Sequence, residues 1–179
     1  ILDIDRAKKS EQQLTTRASF DALTELYNRE TIESQIDNEI TLSEARKSEM
    51  AVLFIDVDDF KHYNDQYSHA TGDQVLKFVA RTIKGTVNEF GFAGRYGGDE
   101  FIACIRNAEI NDPTRAAQDI ISKLEEGFEC DGVHLTVSVS IGISMIKDDY
   151  NTRVEYIIGK ADDAMYSVKK NGKSNYAFI

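Results

Sequence analysis

Residues 50–57, Met-Ala-Val-Leu-Phe-Ile-Asp-Val, are almost all apolar and close on acids, as expected of a strand buried on both faces. Helical spacing governs the stretches on either side. Ile32, Ile36, Ile40, Leu42 and Ala45 predict a helix over 29–48, and Val75, Leu76, Phe78, Val79, Ile83 and Val87 predict a longer one over 71–87. Residues 58–67 read as a short helix with Phe60, Tyr63 and Tyr67 on one side. Residues 92–96 and 101–106 read as short strands, and Gly97-Gly98-Asp99-Glu100 between them is the strongest hairpin signal in the chain. Pro113 opens a helix to about residue 128, at an early position where proline is favoured. Residues 133–145 alternate around Val137, Val139, Ile141 and Ile143 and predict one strand. A last helix over 154–169 stops at Asn171-Gly172, and 176–179 reads as a final edge strand.

The N-terminal part is different. Residues 1–4 read as the end of a strand or a linker. Residues 5–20 are charged and helix-favouring, with an apolar stripe of only Ile4, Ala7, Leu14 and Ala18. That stripe is too thin for a core helix and predicts a connector helix, a candidate for one strand of a short coiled coil. Residues 21–29 break it, and Thr24 or Asn28 can cap the next helix. Strands alternating with helices around a hairpin predict an α+β fold, ferredoxin-like in its core, with a central, mostly antiparallel sheet flanked by helices.

The chain has 179 residues, enough for one domain with a short appendage. Its longest pure apolar run, residues 51–55, is far too short to cross a bilayer, so no membrane contact is expected of it. A net charge of −10 argues against a nucleic-acid partner, which would need a cationic face. It leaves room for an anionic substrate if a metal supplies local positive charge. Two cysteines, Cys104 and Cys130, are too few for a disulfide framework and fit a cytoplasmic protein with reduced thiols. The chain opens on Ile1, without the charged start of a signal peptide, and reads as a piece of a longer protein that could itself be membrane-anchored.

The acids after the central strand are the first sign of chemistry. Asp56 and Asp58 fall on the same side of an extended chain. If the strand and the hairpin are neighbours, Asp56 converges with Asp99 and Glu100, and a hard divalent cation relieves the mutual repulsion. Asp58 and Asp59, by contrast, read as water-facing acids or helix N-caps. The first turn of the short helix after them, at Phe60 and Lys61, offers free N–H groups to phosphates. Gly97-Gly98 lets a ligand approach the backbone. Lys169 and Lys173, taken alone, complement a helix end; beside a metal and phosphate site they are candidates to hold a polyphosphate tail.

These residues resemble the GGDEF-domain diguanylate cyclases over about residues 19–179, with residues 1–18 as a connector helix. The blocks that carry the resemblance run in order: Asp21-x-Leu23-Thr24-x-Leu26-x-Asn28-Arg29; Asp56-x-Asp58-x-Phe60-Lys61-x-x-Asn64-Asp65; His69-x-x-Gly72-Asp73-x-x-Leu76; Arg95-Tyr96-Gly97-Gly98-Asp99-Glu100-Phe101; Ser140-Ile141-Gly142; Ala161-Asp162-x-Ala164-Met165-Tyr166; and Lys169-x-x-Gly172-Lys173-x-Asn175. The resemblance implies a palm-type nucleotidyl cyclase fold and the condensation of two GTP into cyclic di-GMP with release of two pyrophosphates, across a homodimer. It implies Mg²⁺ or Mn²⁺ held by Asp56, Asp99 and the Val57 carbonyl, with Asp99 or Glu100 taking part in deprotonating the attacking 3′-hydroxyl. Asn64 and Asp73 match guanine readers, since a carboxylate accepts from the ring N1–H and the exocyclic amine together. His69 matches a substrate-side histidine, against an ordinary capping or core histidine. Phe60 and Lys61 match the backbone turn that cradles phosphate, Gly98 belongs to the turn where substrate comes close, and Lys169 and Lys173 match holders of the distal phosphates.

Three departures from the pattern matter. Lys173 stands where arginine is frequent and lacks its bidentate fork, so weaker triphosphate binding is expected. Ser68 replaces a frequent glycine before His69. Asn88 and Gly91 stand in place of the arginine and aspartate of the product-inhibition motif, so no product inhibition is expected through that site. Residues 4–14 resemble the connector after a sensory PAS domain, which implies an upstream sensor and weakened dimerisation without it. The alternative activity class is a weak or inactive GTP-binding regulatory module.

Overall fold

The computed structural model describes residues 2–179, the side chains of Thr16 and Arg17 aside. The chain forms α1 (Leu2–Ser19), α2 (Arg29–Arg46), β1 (Met50–Val57), α3 (Phe60–Gln66), α4 (His69–Val87), β2 (Gly91–Arg95) and β3 (Glu100–Arg106). It continues through α5 (Pro113–Glu126), β4 (Phe128–Cys130), β5 (Val133–Leu135), β6 (Val139–Ile146), α6 (Val154–Lys170) and β7 (Asn175–Phe178). The main sheet has the order β2-β3-β1-β6-β7. The pairs among β2, β3, β1 and β6 are antiparallel, and β7 joins β6 in parallel at the edge. The α+β expectation holds.

The alternation of β1 divides the core into two layers. Ala51, Leu53, Ile55 and Val57 pack with α4 and α5 on one face of the sheet. Met50, Val52 and Phe54 pack with α2 and α6 on the other. Asp56 continues the second set, so period two aims it at α6. Gly142 of β6 allows α6 to lie close, since a Cβ there would stand 1.8 Å from the Ala161 carbonyl oxygen.

Several expectations change. Leu2, Asp3 and Ile4 belong to helix α1 and are not a strand or linker; Ile1 lies outside the described residues. The strand expected over 133–145 is two strands. Asp131 and Gly132 take φ values of 49° and 77°, and this tight turn pairs β4 with β5 as a separate hairpin. Asn28 caps α2 by accepting from the Thr31 N–H, whereas Thr24 donates to Asp21. Cys104 is buried, which pushes its thiol pKa upward and leaves it an inert core residue. Among the described residues, no helix is long and apolar enough to cross a membrane.

Candidate active site

Antiparallel pairing of β1 with β3 sets Asp56 directly opposite Glu100. The Val57 N–H donates to the Asp99 carbonyl at 3.1 Å, which carries the pairing into the turn. The acids therefore meet at one end of the sheet. Burial raises the Asp56 pKa to about 7; Lys169 opposes this rise, and the charges of Asp99 and Glu100 add to it. Burial also raises Glu100, with the charges of Asp99 and Asp162 behind it. Asp56 Oδ1 is buried and makes no close hydrogen bond; its cationic neighbour is Lys169.

Lys169, from the last turn of α6, reaches into this cluster. Its Nζ lies 3.0 Å from Asp58 Oδ1, 3.3 Å from the Val57 carbonyl oxygen and 3.5 Å from Asp56 Oδ1.

Asp58 is not the water-facing or capping acid expected of it. It is 4% exposed and accepts from Ser138 Oγ at 2.5 Å, Ser140 Oγ at 2.7 Å and the Ser174 N–H at 3.1 Å. Burial alone would raise its pKa, but these hydrogen bonds and Lys169 outweigh it and hold the carboxyl below its ordinary range. Asp58 ties β1, β6 and the β7 approach together. Asp59 sits at the N-cap position of α3 with φ 52° and makes no cap bond; its carboxylate instead accepts from Lys173 Nζ at 2.8 and 2.9 Å.

The second half of the site is the α3–α4 corner. Gly72 is buried beneath α3: a Cβ on it would stand 2.0 Å from Asn64 Oδ1 and 3.3 Å from Phe60 Cζ. That contact sets Asn64 beside the residue that precedes Asp73, so the two proposed guanine readers lie across one helix junction. Asp73 is exposed. His69, the first residue of α4, is exposed and does not cap the helix; Ser68 does, accepting from the Thr71 N–H at 3.1 Å. Lys61 is exposed and lies 4.0 Å from Asp65, one turn along. Phe60 packs against the core, and Tyr63 pins α3 by donating to the Thr136 carbonyl at 2.7 Å.

The two turn glycines differ. A Cβ on Gly97 would stand 2.3 Å from Glu100 Oε1, so Gly97 makes room for the Glu100 carboxylate; Gly98 is exposed and faces open space. Arg95 holds this turn in place. It donates to the Gly97 and Gly98 carbonyls at 2.8–3.2 Å, and its other guanidinium nitrogen reaches Asp21 at 3.3 Å. Sequence reasoning passed over Asp21 and Arg95 as working residues. Their signal is a charged pair in which one member, Arg95, stands two residues before the glycine turn. Arg29 lies 4.2 Å over the Tyr96 ring, and the Tyr96 hydroxyl donates to Glu33 at 3.0 Å, fixing the residue between Arg95 and Gly97.

Asn88 ends α4 and Gly91 starts β2. They line a cavity of about 270 Å³ with Phe20, Tyr27, Lys84 and Arg106, away from the carboxylates.

Among the described residues, no three acidic, histidine or cysteine side chains form a metal cluster by themselves. The donors that fit a hard cation are Asp56, whose buried Oδ1 has the Lys169 ammonium 3.5 Å away, the Val57 carbonyl and Asp99 across the turn. That small set suits Mg²⁺, which takes one or two carboxylates plus substrate oxygens.

Carboxylates thus gather at one end of the sheet, with Lys169 among them and an open glycine turn beside them. The family model described as "Diguanylate cyclase, GGDEF domain" matches residues 18–175, and the chain belongs to this family. It is 34% identical over 178 residues to the signaling protein YkoW of Bacillus subtilis, covering 98% of this chain and 22% of YkoW. It is 35% identical over 159 residues to diguanylate cyclase DosC of Escherichia coli, covering 87% of this chain and 34% of DosC. The chain thus spans about a third or less of these relatives. In fold it matches the coiled coil and GGDEF domain of DgcB from Caulobacter crescentus, solved with c-di-GMP, at a TM-score of 0.91 and 24% identity, covering 99% of this chain and 94% of that one.

Proposed function

We propose that this chain condenses two GTP molecules into cyclic di-GMP, releasing two pyrophosphates, with two copies facing each other and one GTP on each. The observation that carries the proposal is the β1–β3 register, which brings Asp56 opposite Glu100 beside the Val57 carbonyl and under Lys169. Asp56, Asp99 and the Val57 carbonyl would hold Mg²⁺ or Mn²⁺. Bound there, the ion would polarise the α-phosphate and make the attacking 3′-hydroxyl more acidic.

The residues supply the rest. The 3′-oxygen of one GTP bonds to the α-phosphorus of the other as the bond to pyrophosphate breaks, and Asp99 or Glu100 takes the hydroxyl proton. Lys169 and Lys173 hold the phosphate tail, aided by backbone N–H groups at Phe60 and Lys61 and the open approach at Gly98. Asn64 and Asp73 read guanine, and His69 stands on the substrate side. The exposed helix α1 pairs two copies, as the coiled coil in DgcB suggests, and an upstream sensory domain in a cytoplasmic setting would control that pairing. Without an arginine at 88 or an aspartate at 91, cyclic di-GMP does not inhibit through that segment.

The test is incubation of the concentrated protein with GTP and Mg²⁺ and detection of cyclic di-GMP by mass. Asp99→Ala should abolish product with the fold intact by circular dichroism; product from that variant would reject the role given to Asp99. Titration with cyclic di-GMP should leave turnover uninhibited, and tight binding at residues 88–91 would contradict the feedback reading.

A further inference from the structure

We infer that Lys169 is a resident counter-ion that keeps the divalent cation out until nucleotide arrives. The inference rests on the reading that Asp56 and the Val57 carbonyl are cation ligands. An ammonium has three N–H donors, and here its three oxygen neighbours are Asp58, the Val57 carbonyl and Asp56, at 3.0, 3.3 and 3.5 Å. Two of those three are the oxygens a divalent ion would need. The third, Asp58, is committed to Ser138, Ser140 and the Ser174 N–H, so it is a fixed anchor. It tethers the ammonium over Asp56 and Val57.

Mg²⁺ binds oxygen at about 2.0–2.1 Å. An ion at that distance from Asp56 and the Val57 carbonyl would crowd the ammonium, and two cations cannot share the pocket at low cost. Lys169 must therefore lose its contacts with these two oxygens when the ion enters. Its side chain is 21% exposed, so its head has a way out. A triphosphate gives it a new partner. Nucleotide thus draws Lys169 from the ligand oxygens as the ion takes its place, and by linkage each ligand strengthens the other. Lys173 is the built-in contrast, because it engages Asp59 and touches neither ligand oxygen.

The experiment is Mn²⁺ binding, followed by the paramagnetic resonance of the free ion, with and without a non-hydrolysable GTP analogue. In the nucleotide-free protein, Lys169→Gln should tighten Mn²⁺ binding by about tenfold, within the usual range of coupling between sites, and Lys173→Gln should leave it unchanged. The analogue should tighten Mn²⁺ binding in the native protein, and that gain should shrink in Lys169→Gln. If the native protein gains with the analogue while Lys169→Gln binds Mn²⁺ no tighter than native without nucleotide, the counter-ion role is overturned and the ligand assignment stands. If Asp56→Asn leaves Mn²⁺ binding intact with the analogue, the ligand assignment itself fails, and the inference with it. A second measurement needs no variant: the Lys169 side-chain nitrogen resonance should shift on saturation with Mg²⁺ while that of Lys173 stays. An unmoved Lys169 resonance would overturn the inference.

Discussion

Asp56 and Asp58 lie on the same side of the chain, yet their carboxyls move in opposite directions. Both are pushed upward by burial. Asp58 is rescued by donors from Ser138, Ser140 and Ser174, whereas burial of Asp56, reinforced by the charges of Asp99 and Glu100, outweighs its one ion pair with Lys169 at 3.5 Å. Linkage sets the sign for stability. The Asp56 pKa stands at about 7 in the fold against 3.8 as its ordinary value, so the native state holds the proton more tightly. Its ionisation therefore erodes stability as pH rises from about 4 to about 7, by on the order of 1–4 kcal/mol. Asp58 acts oppositely, stabilising above the ordinary aspartate range and losing that contribution as pH falls through its lowered folded pKa. In metal-free buffer, Asp56→Asn should melt progressively higher relative to the native protein as pH rises from about 4 to about 7, with the difference levelling off above that. A melting difference that does not change with pH would show that Asp56 ionises without cost.

At the scale of elements, the β2–β3 turn is fastened to the junction between α1 and α2. Arg95 bonds the carbonyls of Gly97 and Gly98 and reaches Asp21, and Tyr27 pairs with Gly94 in a parallel bridge. The carboxylates at 99 and 100 are thus positioned partly by the segment where the connector helix ends. Arg95→Gln should cost about 1–3 kcal/mol as carbonyls and Asp21 lose their donor. It should lower kcat by about 10–100-fold, because small displacements of catalytic groups are expensive. A kcat within twofold of native would mean the turn holds itself. Packing at α6 is equally local in cause. Gly142→Ala would drive a methyl into the Ala161 carbonyl, a backbone atom that cannot rotate away, and should cost about 1–3 kcal/mol or more. Denaturant melts would measure it, and a loss under about 0.5 kcal/mol, the range of neutral surface changes, would show that α6 can lift.

For the whole molecule, helix α1 leaves apolar side chains open to solvent among the described residues: Leu2, Ile4 and Leu14 are 88%, 61% and 64% exposed. If two copies act together, specific activity should rise with protein concentration and level off as pairing saturates, by mass action. Constant specific activity over a hundredfold dilution would contradict the two-copy mechanism.

The sequence by itself determined the kind and order of most elements, because hydrophobic period is a local property: the central strand, the long helices and the glycine hairpin are legible in consecutive residues. It also marked Asp56, Asp99, Lys169 and Lys173 by residue type and motif. It misassigned 133–145, because the alternation runs unbroken through residues 136–138, where β5 has ended and β6 has not begun, and it misread Asp58 as solvated, because the serines that bury and satisfy it lie 80 and more residues away. Only the tertiary structure decided that Lys169 rests on the oxygens of Asp56 and Val57. That contact spans 112 residues from Val57 and depends on β1 lying between β3 and β6 with α6 packed over its Asp56 face. Such a contact is a property of strand order and helix packing, which no local window of residues contains.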